Sequence, residues 1–364
     1  MKTLLFSLLV CCLVAGNVAA LDKTPLRIGI VGLTHTHVHG LLGRANPGDI
    51  IIVGIVETNL VLAKRYADQY GFNMSIVYKS MPEMIAATRP AAVAAFGSIY
   101  EHLEVVVTCA PLGIHVMVEK PLAVSVSHAR KMQQLAIKHN ILLLTNYETT
   151  WYASNHEVYK MVHHDKAIGA LRKVVVHDGH KGPKEIGVNK EFLDWLTDPV
   201  LNGGGAITDF GCYGANLLTW LTNGQRPISV LALTQQFKPH LYPKVDDEAT
   251  ILLQYPSLQG IIQASWNWPF SRKDMEVYGE TGMVIAADAS HLRFRFEKDS
   301  ALQQVVLVNR IPPYHDPFAL FAALVNKEVT LVGYDLSSLE NNLLVVEILE
   351  AAKKSARTGK AVKL

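Results

Sequence analysis

Three histidines at alternate positions, His35, His37 and His39 in GLTHTHVHG, follow an apolar run that ends in Gly32. A strand that ends in glycine and turns into a helix is where a dinucleotide-binding fold holds pyrophosphate, because backbone N–H groups at the helix N-terminus point at the anion. The usual loop is G-x-G-x-x-G. Here its three positions are Gly32, Thr34 and His37, so only the first glycine is kept. The second glycine admits the ligand to the backbone and the third lets helix and strand pack closely, so the loop departs from the pattern at both points. Imidazole also ligates zinc, but on a helix residues two apart point to different faces, and only His35 and His39 would share one. A histidine at the helix start that contacts phosphate or substrate is the preferred reading, and no metal is assigned. Glu57 closes the next apolar run, about 25 residues beyond Gly32. An acid near that spacing hydrogen-bonds the ribose 2′-hydroxyl of NAD and repels the extra phosphate of NADP. Farther on, Asp209 and Tyr213 in GGGAITDFGCYG are four apart and would share a helix face, letting the pair grip one polar ligand. The alternative for Asp209 is a helix cap after the glycines.

The elements around these residues fall into two halves. From Leu26 to Tyr147, short β-branched runs (RIGIVG, IIIVGIVE, SIVY, AAVAAFG, HVMVEK, ILLLTNY) alternate with amphipathic stretches such as NLVLAKRYADQYG and SVSHARKMQQLAIKHN. That alternation predicts an α/β domain with a doubly wound parallel sheet. After Trp151 the strands lengthen and alternate in polarity (LRKVVVHDG, ISVLALTQQF, ATILLQY, GIIQASWNW, MEVYGE, MVIAAD, HLRFRFE), which predicts an α+β domain with a large, mostly antiparallel sheet. One helix follows the triple glycine, and another, SSLENNLLVVEILEAAKKSAR, closes the chain. The predicted division is an export segment at 1–20, a Rossmann-like domain at 21–148 and a substrate and oligomerisation domain at 149–364.

MKTLLFSLLVCCLVAGNVAA has one lysine ahead of an apolar run that closes on small residues, the layout of a secretory signal peptide cleaved after Ala20. The run from Leu4 to Gly16 is short of the roughly 20 residues that span a bilayer, so stable membrane insertion is not expected. The mature chain would be periplasmic or secreted. Cys11 and Cys12 leave with the signal, and the remaining Cys109 and Cys212 cannot form the disulfide framework of a small secreted domain. Loss of Lys2 takes the formal charge from +2 to +1, which argues against a nucleic-acid partner. A small-molecule partner is expected.

GIHVMVEKPLAVS carries a family resemblance. Glu119, Lys120 and Pro121 form the E-K-P tripeptide of the glucose-fructose oxidoreductase, inositol dehydrogenase and MocA family, at the end of the fifth strand with a helix following. PEMIAATRPAAVAAFGS before it, IKHNILLLTNYETTWY after it and GGGAITDFGCYGANLL farther on resemble the family in order and spacing, so the similarity covers nearly the whole mature chain. In that family the E-K-P lysine lies between nicotinamide and substrate and hydrogen-bonds the hydroxyl being oxidised, a role the resemblance implies for Lys120. Partial burial beside other cations would lower its pKa toward neutrality and let it exchange a proton. The family pattern D-x-G-x-H-x-x-D reads Asp209, Gly211, Tyr213 and Asn216 here, and a tyrosine form occurs in some branches as the acid/base, which is the role implied for Tyr213. His102, His180, Glu148 and Trp151 align with positions that face the cleft, and Trp151 or Trp266 offers a surface on which a sugar could stack. The implied catalytic set is Lys120, Asp209, Tyr213 and His180. The implied cofactor-binding set is Gly32, Thr34, His35, His37, Glu57, Ser98, His102, Glu119 and Lys120, with NAD favoured and NADP as the alternative. A homo-oligomer, dimer or tetramer, is also implied.

Three functions are consistent with these residues. The first is a nicotinamide-dependent oxidoreductase acting on a sugar, polyol or glycoside hydroxyl, with Lys120 taking the hydroxyl proton, assisted by Tyr213 or His180. The second is a carbohydrate hydrolase or lyase of the same fold in which NAD is tightly held and internally recycled, or replaced by a metal. The third is a non-catalytic sugar-binding protein.

Overall fold

A parallel strand must be re-entered from the far end of its neighbour, so each β-branched run in the first half is followed by a crossover that covers one sheet face. In a computed structural model, which describes residues 24–45, 47–296 and 300–364, these runs form β1 (Leu26–Val31), β2 (Ile50–Val56), β3 (Val77–Tyr78), β4 (Ala92–Ala95), β5 (His115–Glu119) and β6 (Leu143–Asn146). The export segment expected at 1–20 lies outside the described residues. The strands pair in parallel in the order β3-β2-β1-β4-β5-β6. Helices α1 (Val38–Leu42), α2 (Leu60–Tyr70), α3 (Met81–Thr88), α4 (His102–Cys109) and α5 (Val126–His139) lie between them. The sheet grows in opposite directions from β1 and β4, so the C-terminal ends of these neighbours open a crevice, the ligand position of a Rossmann-like fold.

The second half builds a nine-stranded sheet from β7 (Leu171–Gly179), β8 (Ser229–Gln235), β9 (Glu248–Gln254), β10 (Gln259–Ser265), β11 (Arg272–Gly279), β12 (Met283–Ala286), β13 (His291–Arg295), β14 (Gln303–Val306) and β15 (Val362–Lys363). It is antiparallel except where β10 runs parallel to β7. Its helices are α6 (Ala153–His163), α7 (Lys190–Leu196), α8 (Ala206–Asp209), α9 (Gly211–Leu221), α10 (Pro317–Val325) and α11 (Leu339–Thr358). The inward residues of the sheet, among them Val174, Val176, Met275, Val277 and Ile262, share one apolar core with α8 and α9. That packing fixes the helices bearing Asp209 and Tyr213 against the sheet bearing His180.

The halves are tied together by late elements. Helix α10 buries Phe318, Leu320, Phe321 and Leu324 in the core of the first sheet, although it follows the whole second sheet but for its last strand. Helix α11 sends Leu343 and Val346 toward α4 and α5 of the first domain and Leu344, Val345 and Ile348 into the second core. Both cysteines of the described chain are buried free thiols.

Candidate active site

The crevice begins at Gly32, whose φ of 78° and close approach to Gly97 fit only glycine, since a Cβ there would lie 2.8 Å from the Gly97 nitrogen. Beside it the Glu57 carboxylate, at the end of β2, accepts backbone N–H groups from Leu33 (3.0 Å) and Asn59 (2.7 Å). Burial raises its pKa against the pull of those donors. Gly32, Thr34, Glu57, Thr58, Lys79 and Ser80 border a cavity of about 430 Å³. Thr34, at the second glycine position, accepts a hydrogen bond from the indole of Trp195 on α7 (3.1 Å).

The helix that would put His35 and His39 on one face starts too late to do so. Helix α1 starts only at Val38, so His35 lies in the preceding turn and His37 at the N-cap position. His39 turns away to the hydroxyl of Tyr70 (2.7 Å), while His37 Nδ1 meets Glu119 Oε2 (2.7 Å). His35, His37 and Glu119 thus gather with ligand-type atoms within 4.8 Å of one another. The buried His35 ring, its pKa lowered well below the usual value by desolvation and then by His37, is neutral. Its Nδ1 accepts the His37 amide (3.1 Å), so its proton sits on Nε2 and the ring offers a donor there in place of a metal-binding lone pair.

Other cofactor-binding expectations receive more local roles. The Ser98 hydroxyl donates to Glu101 (2.7 Å) at the start of the turn leading into α4. His102 lies on the same cavity and faces the Leu122 carbonyl through Nδ1 (3.2 Å), which leaves its buried Nε2 as an acceptor without a partner among the described residues. Burial pushes its pKa down to about 4.

At the other end of the crevice Lys120 follows β5 directly and is 6% exposed. Its ammonium forms an ion pair with Asp209 Oδ1 and donates to the Asp209 carbonyl at 3.0 Å. The expectation that neighbouring cations depress Lys120 toward neutrality is overturned. Burial alone would lower the pKa, but the Asp209 charge outweighs it and the amine is raised above its ordinary value. Asp209 is correspondingly held low, burial being overcome by Lys120, and its Oδ2 accepts the Trp266 indole N–H (2.9 Å).

The helix carrying Asp209 and Tyr213 is broken between them. Helix α8 ends at Asp209 and α9 begins at Gly211, with Phe210 at φ −106° joining them. The N-terminus of α8 is capped by Asp246, which accepts from Gly205 N (2.9 Å) and Ile207 N (2.7 Å), so Asp209 is not the cap. Gly205 is required there, since a Cβ would fall 1.8 Å from the Asp246 carbonyl oxygen.

Lys120, Asp209, Tyr213 and His180 nonetheless line one cavity of about 170 Å³, with His37 on the cofactor side. Its opposite wall is apolar, formed by Ile186, Val188, Phe192 and Leu196. Tyr213 is buried, and desolvation raises its phenol well above the usual value. His180 Nδ1 accepts the Gly182 amide (2.9 Å), and burial lowers the pKa of the ring, so the group it turns to the cavity is the Nε2–H donor. At neutral pH the cavity therefore presents an ammonium, a phenol and an imidazole N–H, all donors to a substrate oxygen.

One residue of this site and one beside it escaped the sequence. Lys273 on β11 lines the cavity, sits 4.9 Å from the centre of the Tyr213 ring, and pairs with Glu148. Asp178 on β7 is its cross-strand neighbour, fully buried, with neither carboxylate oxygen partnered among the described residues. Burial raises its pKa well above the ordinary carboxylate value, against the pull of Lys273. Packing corrects one further expectation, for Trp266, and gives Trp151 and Asn216 local partners. Trp266 is 0% exposed and cannot stack on a sugar, Trp151 donates to Asn146 (3.1 Å) behind Glu119, and Asn216 bonds the Leu336 carbonyl (2.8 Å) in the core.

Residues 26–147 match the oxidoreductase family with an NAD-binding Rossmann fold, and residues 156–285 match the GFO/IDH/MocA C-terminal domain. The sequence is 29% identical over 238 residues to the trans-1,2-dihydrobenzene-1,2-diol dehydrogenase of Xenopus tropicalis, covering 64% of this chain and 66% of the relative. The match thus spans just under two thirds of that relative's length. The pig enzyme of the same name is 26% identical over 262 residues, 71% of this chain and 72% of its own. Among solved structures, the aldose-aldose oxidoreductase of Caulobacter crescentus complexed with glycerol is similar over 93% of this chain and 100% of its own, with TM-score 0.79 and 22% identity. An inositol dehydrogenase homologue from Azotobacter vinelandii complexed with NAD+ covers 94% and 98%, with TM-score 0.79 and 19% identity.

Proposed function

The chain belongs to the GFO/IDH/MocA oxidoreductase family and carries its NAD-binding Rossmann domain, and from that premise we propose that it transfers a hydride between NAD and a secondary hydroxyl of a sugar, polyol or related diol, with Lys120 handling the hydroxyl proton. The observation that carries this reading is the buried Lys120–Asp209 pair facing Tyr213 across a cavity that adjoins the dinucleotide crevice.

The residues fit NAD. Gly32 leaves room for a close approach at the strand end, and Glu57 places a carboxylate at the end of β2, suited to a ribose diol and adverse to a 2′-phosphate. When bound, NAD supplies the hydride acceptor or donor. Lys120 lies at the end of β5 with its ammonium directed to Asp209, where it donates to the substrate oxygen and stabilises charge that develops there. His180 Nε2–H and the Tyr213 hydroxyl orient the same oxygen. In the oxidative direction Lys120 must first lose a proton, so a higher pH favours oxidation and a lower pH favours carbonyl reduction. Titration of the purified protein with NAD and NADP by calorimetry, followed by NADH absorbance with a polyol panel, tests the reading; no binding of either dinucleotide and no retained cofactor would sink it.

A second reading, hydrolysis or elimination with a recycled NAD, is favoured by α7. This helix and its cap bond the cofactor loop through Trp195–Thr34 (3.1 Å) and helix α2 through Arg65–Glu191 (3.0 Å) and Asn189–Tyr66 (2.7 Å), an arrangement that would retain a bound dinucleotide. Release of sugar or aglycone without net NADH would favour it. Export through residues 1–20 and assembly into a homo-oligomer belong to the same proposal. Native mass spectrometry reads subunit number and retained dinucleotide together.

A further inference from the structure

Lys120, Tyr213 and His180 all offer donors to the catalytic cavity, and Lys120 must shed a proton before it can take one from a hydroxyl. A proton acceptor with a path to water is therefore needed, and the groups around the ammonium narrow the choice. Asp209 is held low in pKa, with Oδ1 on Lys120 and Oδ2 on the Trp266 indole. Glu119 is buried and has its two oxygens on His37 (2.7 Å) and Asn146 (2.9 Å). Glu148 is taken by Lys273 and by the Tyr152 hydroxyl (2.7 Å). His37 remains.

His37 stands at the third glycine position of the loop, where the usual pattern has no side chain, and its imidazole reaches the same cavity as Lys120. Burial alone would raise the pKa of Glu119, but His37, Asn146 and Lys120 together hold it below its ordinary value. The ionised carboxylate can only accept, so His37 Nδ1–H donates to it and the neutral ring carries a bare Nε2, which has no partner among the described residues. A carboxylate behind an imidazole fixes this tautomer and stabilises the imidazolium that forms when Nε2 takes a proton. The His37 side chain is 34% exposed against 7% for Lys120, so a proton on the ring has a way to water that a proton on the amine lacks. Facing His37 are the His35 ring edge-on at 4.4 Å, Glu119 and Lys120 from the end of β5, Glu148 from the turn after β6, and His180 and Lys273 across the cavity. The two carboxylates favour an imidazolium and the two ammoniums oppose it, with Glu119 in direct contact.

We propose that His37, oriented by Glu119, is the proton outlet of the site. Its Nε2 takes the proton that the Lys120 ammonium sheds, directly or through one water, the freed amine takes the hydroxyl proton as the carbon gives up its hydride to NAD, and the imidazolium passes its proton to solvent. The inference rests on the oxidoreductase reading and adds a proton-handling residue to it. NAD-loaded protein and its His37→Gly variant, which restores the glycine of the usual loop and opens space for a free base, are compared in single turnovers with glucose, xylose, myo-inositol and cyclohexanediol, with and without added imidazole. Hydride transfer in His37→Gly is expected to fall by about 10²-fold, while calorimetry shows NAD affinity retained. Added imidazole should restore the rate in proportion to its concentration and leave the unsubstituted protein unaffected. Glu119→Gln, which keeps His37 and removes the charge behind it, should slow transfer by about tenfold with no rescue by imidazole. Nitrogen NMR of the protein without substrate should show neutral His37 with its proton on Nδ1, opposite to His35 and His180. Unchanged transfer in His37→Gly or Glu119→Gln, a loss in His37→Gly that imidazole does not repair, or a His37 proton on Nε2 overturns the proposal and leaves the oxidoreductase reading intact. Failure of all these alcohols to reduce NAD in the unsubstituted protein instead overturns the reading beneath it, and the outlet with it.

Discussion

The Lys120 ammonium is held against the Asp209 carboxylate, 89 residues away in sequence, with both side chains almost wholly out of water. This pair joins the end of β5 in the first domain to the end of α8 in the second, so the position of the buried amine and the domain junction depend on one interaction.

Asp209→Asn removes the counter-charge. Burial then dominates at Lys120 and its pKa falls, so the rising limb of sugar oxidation moves to lower pH, and the fold loses about 3–5 kcal/mol, as expected when one partner of a buried pair is removed. A pH–rate profile and a thermal melt check both. An unmoved limb would mean that Asp209 does not set the amine's proton affinity.

The pair also fixes the sign of stability against pH. The Lys120 pKa is raised, so its contribution is complete below the unfolded amine value and is lost as pH rises through the folded one. The Asp209 pKa is depressed, so its contribution is present above the unfolded carboxylate value and is lost as pH falls through the folded one. Denaturant melts across pH should show this contribution intact throughout the neutral range and declining toward both extremes, and a double variant, Lys120→Met with Asp209→Asn, should flatten both declines.

Glu57→Ala deletes the carboxylate at the end of β2. NAD affinity should fall by about 1.5–3 kcal/mol, the usual worth of a hydrogen bond to a charged group, and the preference for NAD over NADP should narrow. Calorimetric titration with the two dinucleotides measures both quantities. Unaltered NAD binding would place the ribose elsewhere.

Asp246→Ala strips the cap from α8 and leaves the amides of Gly205 and Ile207 unpaired. A loss of about 1–2 kcal/mol in denaturant unfolding is expected. Because α8 carries Asp209, activity should fall more than stability alone explains. Equal activity per folded molecule would show that the helix keeps its place without the cap.

The E-K-P lysine and the Asp209/Tyr213 pair were legible because each lies in a short local pattern, although the single helix expected to carry the latter pair is broken at Phe210. The pKa direction of Lys120 was not, since its controlling partner is distant in the chain. Lys273 reaches the site from β11, with Asp178 beside it through the register with β7, and in sequence each reads as one more polar residue in an alternating strand. Helix α10 is almost entirely apolar, so it shows no amphipathic period that would have announced a helix returning to the first sheet. The shared helix face of His35 and His39 was conditional on a helix that includes both, and a helix start at Val38 redirects the side chains before it.

The central claim is that the Lys120 amine meets the substrate hydroxyl beside bound NAD. Its most direct test is single-turnover hydride transfer in NAD-loaded Lys120→Met, with the Lys120→Met, Asp209→Asn double variant guarding against a buried unpaired carboxylate. The rate should fall by about 10²–10⁴ in both while NAD remains bound. Hydride transfer at the unsubstituted rate in either variant would contradict the account.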